Sequence, residues 1–291
     1  MRVAALISEN VRPGSPIRRQ DAYEPDRQFA ALTPACRDVG INLVPIVWDA
    51  QSTDGFDAVV IGPTWDYTSK PTKFLERLRA IEAERPLFNP SSLVAWNLRK
   101  TYLWDLSNAG VPVVPSFWPE TLDEDFLDGL FDLTRSDDVV IKRVVGESAI
   151  GQVRWRRGDA RPHLSTPEGW FVQPFIPSIQ TFGEIGVLVF GGTPSHAVRK
   201  IPSSADYRVQ SLYGGHDERF EPDASVLDAV RRAVAALPAP ALYARVDLLD
   251  VDGVWAVSEV ELVEPYYYPE FAPGCGVAFA RALVEALKSL L

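Results

Sequence analysis

Apolar residues follow two rhythms along this chain. In the first third, short unbroken apolar runs alternate with longer stretches in which apolar residues return every three or four positions, which predicts strands and helices in turn. Val3–Ile7, Ile41–Val47 and Ala58–Ile61 read as buried strands. Pro25–Val39 reads as a helix stopped by Gly40, and Pro71–Glu84 as a second helix with Phe74, Leu75, Leu78 and Ile81 at helical spacing. This βαβ order predicts a small α/β layer ending near Pro90. From Ser91 the rhythm changes. One helix is expected through Asn97, Lys100, Tyr102 and Leu106, ending at Gly110 as a C′ glycine. An extended Val111–Pro115 follows, then a short helix after Pro119. Strands are expected at Val139–Arg143, Val153–Trp155 and Trp170–Gln173, around a Gly/Ser turn at Gly146–Gly151. Ile185–Phe190 and Ser195–Lys200 flank Gly191-Gly192 as a hairpin. A helix over Pro222–Leu237 precedes a last hairpin, Leu242–Leu249 with Val254–Leu262, and a terminal helix from Ala278.

Length and charge narrow this picture. At 291 residues the chain exceeds what one core serves well, so two or three domains with a cleft between them are expected. Apolar residues make up 46% of it, yet no uncharged apolar run approaches the ~18–20 residues of a membrane span. Met1–Glu9 is too short for a secretory segment, so cytoplasm is the expected location, with no membrane partner. Cys36 and Cys275 do not make a disulfide framework and read as buried thiols. The 29 basic against 39 acidic residues give a net charge of −10, which argues against a nucleic-acid partner. An anionic substrate would need local positive charge.

Common catalytic signatures are missing. Gly146–Gly151 is followed by Gln152 rather than Lys, so it is no Walker A loop, and it is one residue too long for a nucleophile elbow. Gly274-Cys275-Gly276 lies outside any first βα turn. His163, His196 and His216 are isolated from each other and from the cysteines, which argues against zinc and against Ser/His/Asp catalysis.

The strongest chemical signal is the last hairpin. Arg245 and Asp247 are two apart in one strand and Glu259 and Glu261 two apart in the next, so each pair shares a face. Three carboxylates together repel unless a cation sits among them, and oxygen donors suit Mg²⁺ or Mn²⁺. A two-residue turn at Asp252-Gly253 would set Asp247 opposite Ser258, with the glutamates on the other face. A three-residue loop, Val251-Asp252-Gly253, with Gly253 left-handed, would put all three on one face, and this is the register expected. A solvated outer strand face carrying ordinary charges is the alternative.

In order along the chain, Asn89-Pro90, Trp96–Leu103, Gly110–Pro115, Val140–Lys142, Gln173–Ile176, Gly183-Glu184, His196–Pro202, Tyr207–Gln210, Gly214-Gly215, Arg245–Asp247 and Glu259–Pro265 resemble the ATP-grasp superfamily. The resemblance covers roughly residues 89–272, with a looser match before it. It is closest to the branch of prokaryotic glutathione-synthetase-like ligases and the cyclo-ligase of D-cycloserine biosynthesis. It implies an α/β chain of α+β subdomains: an N-terminal α/β domain over 1–95, an ATP-grasp lid subdomain with its entry helix over 96–176, and a metal-binding subdomain over 177–291. By the same resemblance Lys100 and Lys142 contact phosphates, and Gly146, Ser148 and Gly151 belong to a loop that closes over them. Gln173, Phe175 and Ile176 meet adenine, and Glu184 the ribose; many relatives carry Glu where Gln173 stands. Arg208, Arg245 and Lys200 face the reacting phosphoryl and acyl oxygens. Asp247, Glu259 and Glu261 hold Mg²⁺ or Mn²⁺, Glu261 standing where many relatives have Asn.

The activity implied is that of an ADP-forming carbon–nitrogen ligase. ATP phosphorylates an amino-acid-like carboxylate, and an amine, from a second substrate or the same one, attacks the acyl phosphate. The loop Trp65-Asp66-Tyr67 and the cluster Tyr266-Tyr267-Tyr268 are candidates for the acceptor site. A phosphotransferase of the same fold and a non-catalytic nucleotide-binding regulator are the alternatives. A homo-oligomer is expected by analogy with relatives.

Overall fold

The computed structural model describes residues 1–120, 123–146, 149–164 and 169–290. Its first layer follows the predicted order, β1 (Arg2–Ile7), α1 (Tyr23–Asp38), β2 (Asn42–Val47), β3 (Ala58–Ile61) and α2 (Pro71–Glu84), and adds β4 (Leu87–Phe88), a two-residue strand too short to show in the sequence pattern. The strands form a parallel sheet in the order β2-β1-β3-β4. β1 and β3 lie in the middle and are apolar at nearly every position, as a sheet covered on both faces requires.

The single helix expected through Asn97 and Leu106 is two: α3 (Ser91–Asn97) and α4 (Tyr102–Asn108). Bonds to other elements divide them. The Lys100 N–H donates to the Val144 carbonyl at 2.9 Å, and Asn97 donates to the Val260 carbonyl (2.7 Å) while accepting from Leu262 N–H (3.0 Å). Lys100 therefore sits in the break rather than on a helix face. Gly110 follows α4 at φ 80°, the left-handed stop read from the sequence.

Next come α5 (Glu124–Thr134), capped by the Asp123 carboxylate, and the antiparallel strands β5 (Asp138–Arg143), β6 (Val153–Arg156) and β7 (Trp170–Pro174), with β5 central. After α6 (Ser178–Thr181), a second antiparallel sheet is built from β8 (Glu184–Phe190), β9 (Thr193–Ile201), β10 (His216–Phe220), β11 (Tyr243–Val251) and β12 (Val254–Glu261). α7 (Ala224–Ala235) comes before β11, and α8 (Cys275–Lys288) closes the chain. The sheet order is β10-β9-β8-β11-β12. β10 was not expected from sequence: it is an edge strand, His-Asp-Glu-Arg-Phe, with no apolar alternation to betray it.

One face of the five-stranded sheet is apolar. Val246, Leu248, Val257 and Val260 pack there against Val226, Val230 and Ala233 of α7. The opposite face carries the charged residues described below. The N-terminal layer is fastened to this sheet by Asn89, which is wholly buried and bonds Tyr243 O, Leu262 O and Leu242 N–H. α1 and α8 also pack closely: a Cβ on Gly276 would stand 2.2 Å from the Ala31 carbonyl. Cys36 and Cys275 are both buried, as expected. Among the described residues no helix is long and apolar enough to cross a membrane.

Candidate active site

The final hairpin brings its charged residues onto one face, by a different route from the one expected. Val251 pairs with Val254, so the turn is the two-residue Asp252-Gly253, both at positive φ. The extra residue sits instead in β12. Asp247 pairs with Glu259 but Leu248 with Val257, leaving Ser258 as a β-bulge. The bulge shifts the alternation by one, so that Val257 and Val260 both face the core while Glu259 and Glu261 stand across from Asp247 and Arg245.

These side chains share a floor with those of β8 and β9. Glu184 lies opposite Lys200, and Gly186 opposite Asp247. Lys200 Nζ is 2.8 Å from Glu184 Oε2 and 2.7 Å from Asp247 Oδ2. Arg245 grips Asp247 through Nε and Nη2, each at 2.9 Å, and also bonds Glu261. Lys100 bonds Glu259, and the Ser258 hydroxyl donates to Glu184 Oε1 at 2.7 Å. Gly186 leaves the room this requires: a Cβ there would stand 2.9 Å from Asp247 Oδ1 and 3.1 Å from Lys200 Cε. Gly186→Ala is expected to cost about 1–3 kcal/mol of stability through this overpacking. An unchanged melting temperature would contradict the fit.

Burial and charge set the protonation states. Burial raises the carboxyl of Asp247, but the Arg245 and Lys200 charges overcome it and hold the group below the usual range. Glu259 is likewise held low, by Lys100. For Glu261 burial wins, helped by the two neighbouring carboxylates, and its carboxyl is pushed up to about 7. A divalent ion would reverse that. One oxygen from each of Asp247, Glu259 and Glu261 can be chosen so that all lie within 4.8 Å of one another, so the trio offers a hard-oxygen set of the kind Mg²⁺ or Mn²⁺ takes.

The trio lies in one open cleft that also receives Lys100, Lys142, Gly146, Glu184, Lys200, Arg208 and Arg245. The Lys142 ammonium stands 5.9 Å from the centre of the Phe171 ring, and burial pushes its pKa down despite Glu184 and Glu259 nearby. Arg208 reaches the cleft but is bonded to Asp206 at 2.6 Å and stacked on Tyr213 at 3.4 Å. Gly151 is not among the lining residues, and Ser148 falls outside the described residues. Gln173, Phe175 and Ile176 also stand off the lining. The Gln173 amide donates to Ser116 Oγ at 2.8 Å, and the Arg154 guanidinium covers the Phe175 ring at 3.4 Å. Of the two aromatic candidates, Trp65, Tyr266 and Tyr268 are buried residues that also line the cleft, whereas Tyr67 and Tyr267 are core off that lining and Asp66 accepts from Trp48 Nε1.

Sequence reading missed Asp21, Glu24 and Asp217, which give the cleft an acidic wall. Asp21 is held by Arg19 at 2.8 Å, and Glu24 accepts from the Ser211 hydroxyl at 3.2 Å. Burial is the main force pushing Glu24 up to about 7 and Asp217 up to about 6. Nothing in their local patterns signals this: two sit where a loop enters a helix and the third lies on the unexpected edge strand.

Residues 4–89 match the family model for the N-terminal domain of D-cycloserine synthetase DcsG. The cycloserine biosynthesis protein DcsG of Streptomyces lavendulae is 30% identical over a 287-residue alignment that covers 90% of this chain and 95% of that protein. The chain belongs to the DcsG family of ATP-grasp ligases. The crystal structure of D-cycloserine synthetase DcsG superposes with a TM-score of 0.81 at 26% identity, over 99% of this chain and 100% of that one. D-alanine–D-alanine ligase from Bacillus anthracis, complexed with ATP, shares the fold at a TM-score of 0.64 and 17% identity, over 99% and 96%. The ATP-grasp resemblance read from sequence therefore stands, with its α/β fold. As a DcsG-family ligase the chain uses ATP.

Proposed function

We propose that this chain phosphorylates the carboxylate of an amino-acid-like substrate with ATP and forms a carbon–nitrogen bond at it, closing a ring within that one substrate and releasing ADP and phosphate. The relationship to D-cycloserine synthetase over nearly the whole chain favours ring closure. The observation that carries the chemistry is the hairpin register, which sets Asp247, Glu259 and Glu261 beside Lys100, Lys200 and Arg245 on one floor.

The trio would hold Mg²⁺ or Mn²⁺, which would supply charge neutralisation for the transferring phosphoryl group. Lys100 and Lys142 bind phosphates, with Gly146 on the cleft lining beside them. Arg245 and Arg208 offer planar donor forks to the phosphoryl and acyl oxygens, with Lys200 beside them. Glu184 takes the ribose. Because the Gln173 side chain is bonded to Ser116 and the Arg154 guanidinium covers the Phe175 ring, recognition of the base falls to the backbone of residues 174–176 with the Ile176 side chain. No His or Cys is among the cleft's described lining, which suits a reaction whose catalysis is positioning and electrostatics. The acidic wall of Asp21, Glu24 and Asp217 faces the substrate's ammonium, framed by Trp65, Tyr266 and Tyr268. The three sheets support the division into 1–95, 96–176 and 177–291.

The test is an assay of ADP and phosphate with MgATP. It uses D- and L-amino acids, derivatives carrying an internal nitrogen nucleophile, and matched analogues lacking the ammonium. Equal ADP and phosphate, formed with a cyclised product from one substrate, is the expected result. A stable phosphorylated product without free phosphate would make the protein a phosphotransferase instead, and a strict need for a separate amine would replace ring closure with intermolecular ligation.

A further inference from the structure

Asp247 is the most enclosed of the trio, 1% exposed, and both of its oxygens are already engaged. Oδ1 accepts from Arg245 Nε at 2.9 Å; Oδ2 accepts from Arg245 Nη2 at 2.9 Å and from Lys200 Nζ at 2.7 Å. Lys200 is itself 5% exposed, and its ammonium bridges to Glu184 on its other side at 2.8 Å. A divalent ion on Asp247 needs these same oxygens. If the metal came while Lys200 stayed, like charges would touch in a place with little water to screen them. If Lys200 left with nothing to receive it, a buried ammonium would lose a partner, which is strongly unfavourable. Nucleotide phosphates resolve the conflict, because they offer the lysine a new anion in the cleft where Lys100, Lys142 and Arg245 also converge.

We propose that Lys200 is an internal counter-ion that closes Asp247 to a divalent metal until nucleotide phosphates draw its ammonium away, so that metal and nucleotide enter as a coupled pair. The proposal rests on the assignment of the trio to a metal ion. Linkage makes the coupling reciprocal: the factor by which nucleotide tightens metal binding is the factor by which metal tightens nucleotide binding. Glu184, the other partner of the same ammonium, joins the ribose position to the metal position through one side chain.

The experiment is Mn²⁺ binding to the intact protein, followed by electron paramagnetic resonance with and without a non-hydrolysable ATP analogue, correcting for Mn²⁺ held by the analogue in solution. For the wild type, the analogue is expected to tighten Mn²⁺ binding about 30-fold. Lys200→Met is expected to bind Mn²⁺ without nucleotide about tenfold more tightly than the wild type, with a correspondingly smaller coupling factor. Lys200→Gln, which keeps a hydrogen-bonding head without the charge, should move the same way and serves if the methionine variant does not fold. Equal wild-type affinities with and without the analogue would overturn the proposal, as would variants that bind Mn²⁺ no better than wild type. Wild-type protein that takes up no Mn²⁺ even with the analogue would bring down the metal assignment too, whereas binding without coupling overturns the counter-ion role alone.

Discussion

Glu259→Gln is expected to lower ATP-dependent product formation by about 10²–10³-fold while the protein remains folded. Glu259 stands directly across the strand pair from Asp247 and is bonded to Lys100, so its charge serves both the metal position and the first phosphate lysine. The amide keeps the shape and removes the charge. Its side chain is 32% exposed, so water can partly replace the carboxylate in solvating Lys100, and the fold survives. Asp247→Asn should abolish turnover at least as completely but is a less clean test. It leaves Lys200 and Arg245 facing a neutral group in a dry site, and breaking buried pairs of this kind costs about 3–5 kcal/mol. Steady-state turnover, read beside thermal melts of both variants, separates the two effects. Turnover of Glu259→Gln within tenfold of wild type would sink the metal assignment.

Lys142→Met is expected to lower kcat/KM for ATP by about 10–100-fold, the loss of charge-assisted bonds worth about 1.5–3 kcal/mol, and at the same time to raise the melting temperature. Among the described residues no carboxylate stands within ion-pair distance of its ammonium, which packs against Phe171, and burial outweighs the attraction of Glu184 and Glu259 to push its pKa below the usual 10.5. Folding therefore works against the charged form. Between the depressed folded pKa and the unfolded value near 10.5 the unfolded chain binds more protons, so wild-type stability rises with pH across that window. The methionine variant lacks this rise, and its advantage in stability is fully present below the folded pKa. A variant that loses stability at neutral pH, or that keeps wild-type kcat/KM for ATP, would contradict the role. The lysine illustrates a site group kept for binding at a cost to the fold.

Local rules carried much of this site. Arg245 with Asp247, and Glu259 with Glu261, share faces because a strand alternates every two residues, whatever surrounds it. Lys142 stood out as a charge inside an apolar strand. The helix break at Lys100 was not legible, because it depends on Val144 and on β12, which are distant in sequence. Nor was the acidic wall, whose members come from residues 21, 24 and 217 and meet only when the N-terminal layer docks on the five-stranded sheet.

By itself, the sequence determined the strand and helix order of the parallel layer, apart from β4, and the ATP-grasp resemblance, and it singled out the three carboxylates and the cations Lys100, Lys142, Lys200, Arg208 and Arg245. These follow from periodicities of two and 3.6 residues and from ordered motifs, which need no distant partner. The tertiary structure alone decided how the carboxylates came to share a face. The hairpin's turn has two residues, which by itself would have sent the glutamates to the other side, and the Ser258 bulge restores them. Its position is dictated by β11 and α7, because only a shift there buries Val257 and Val260 together. Burial against an apolar helix, a contact made across the fold, sets where the extra residue goes.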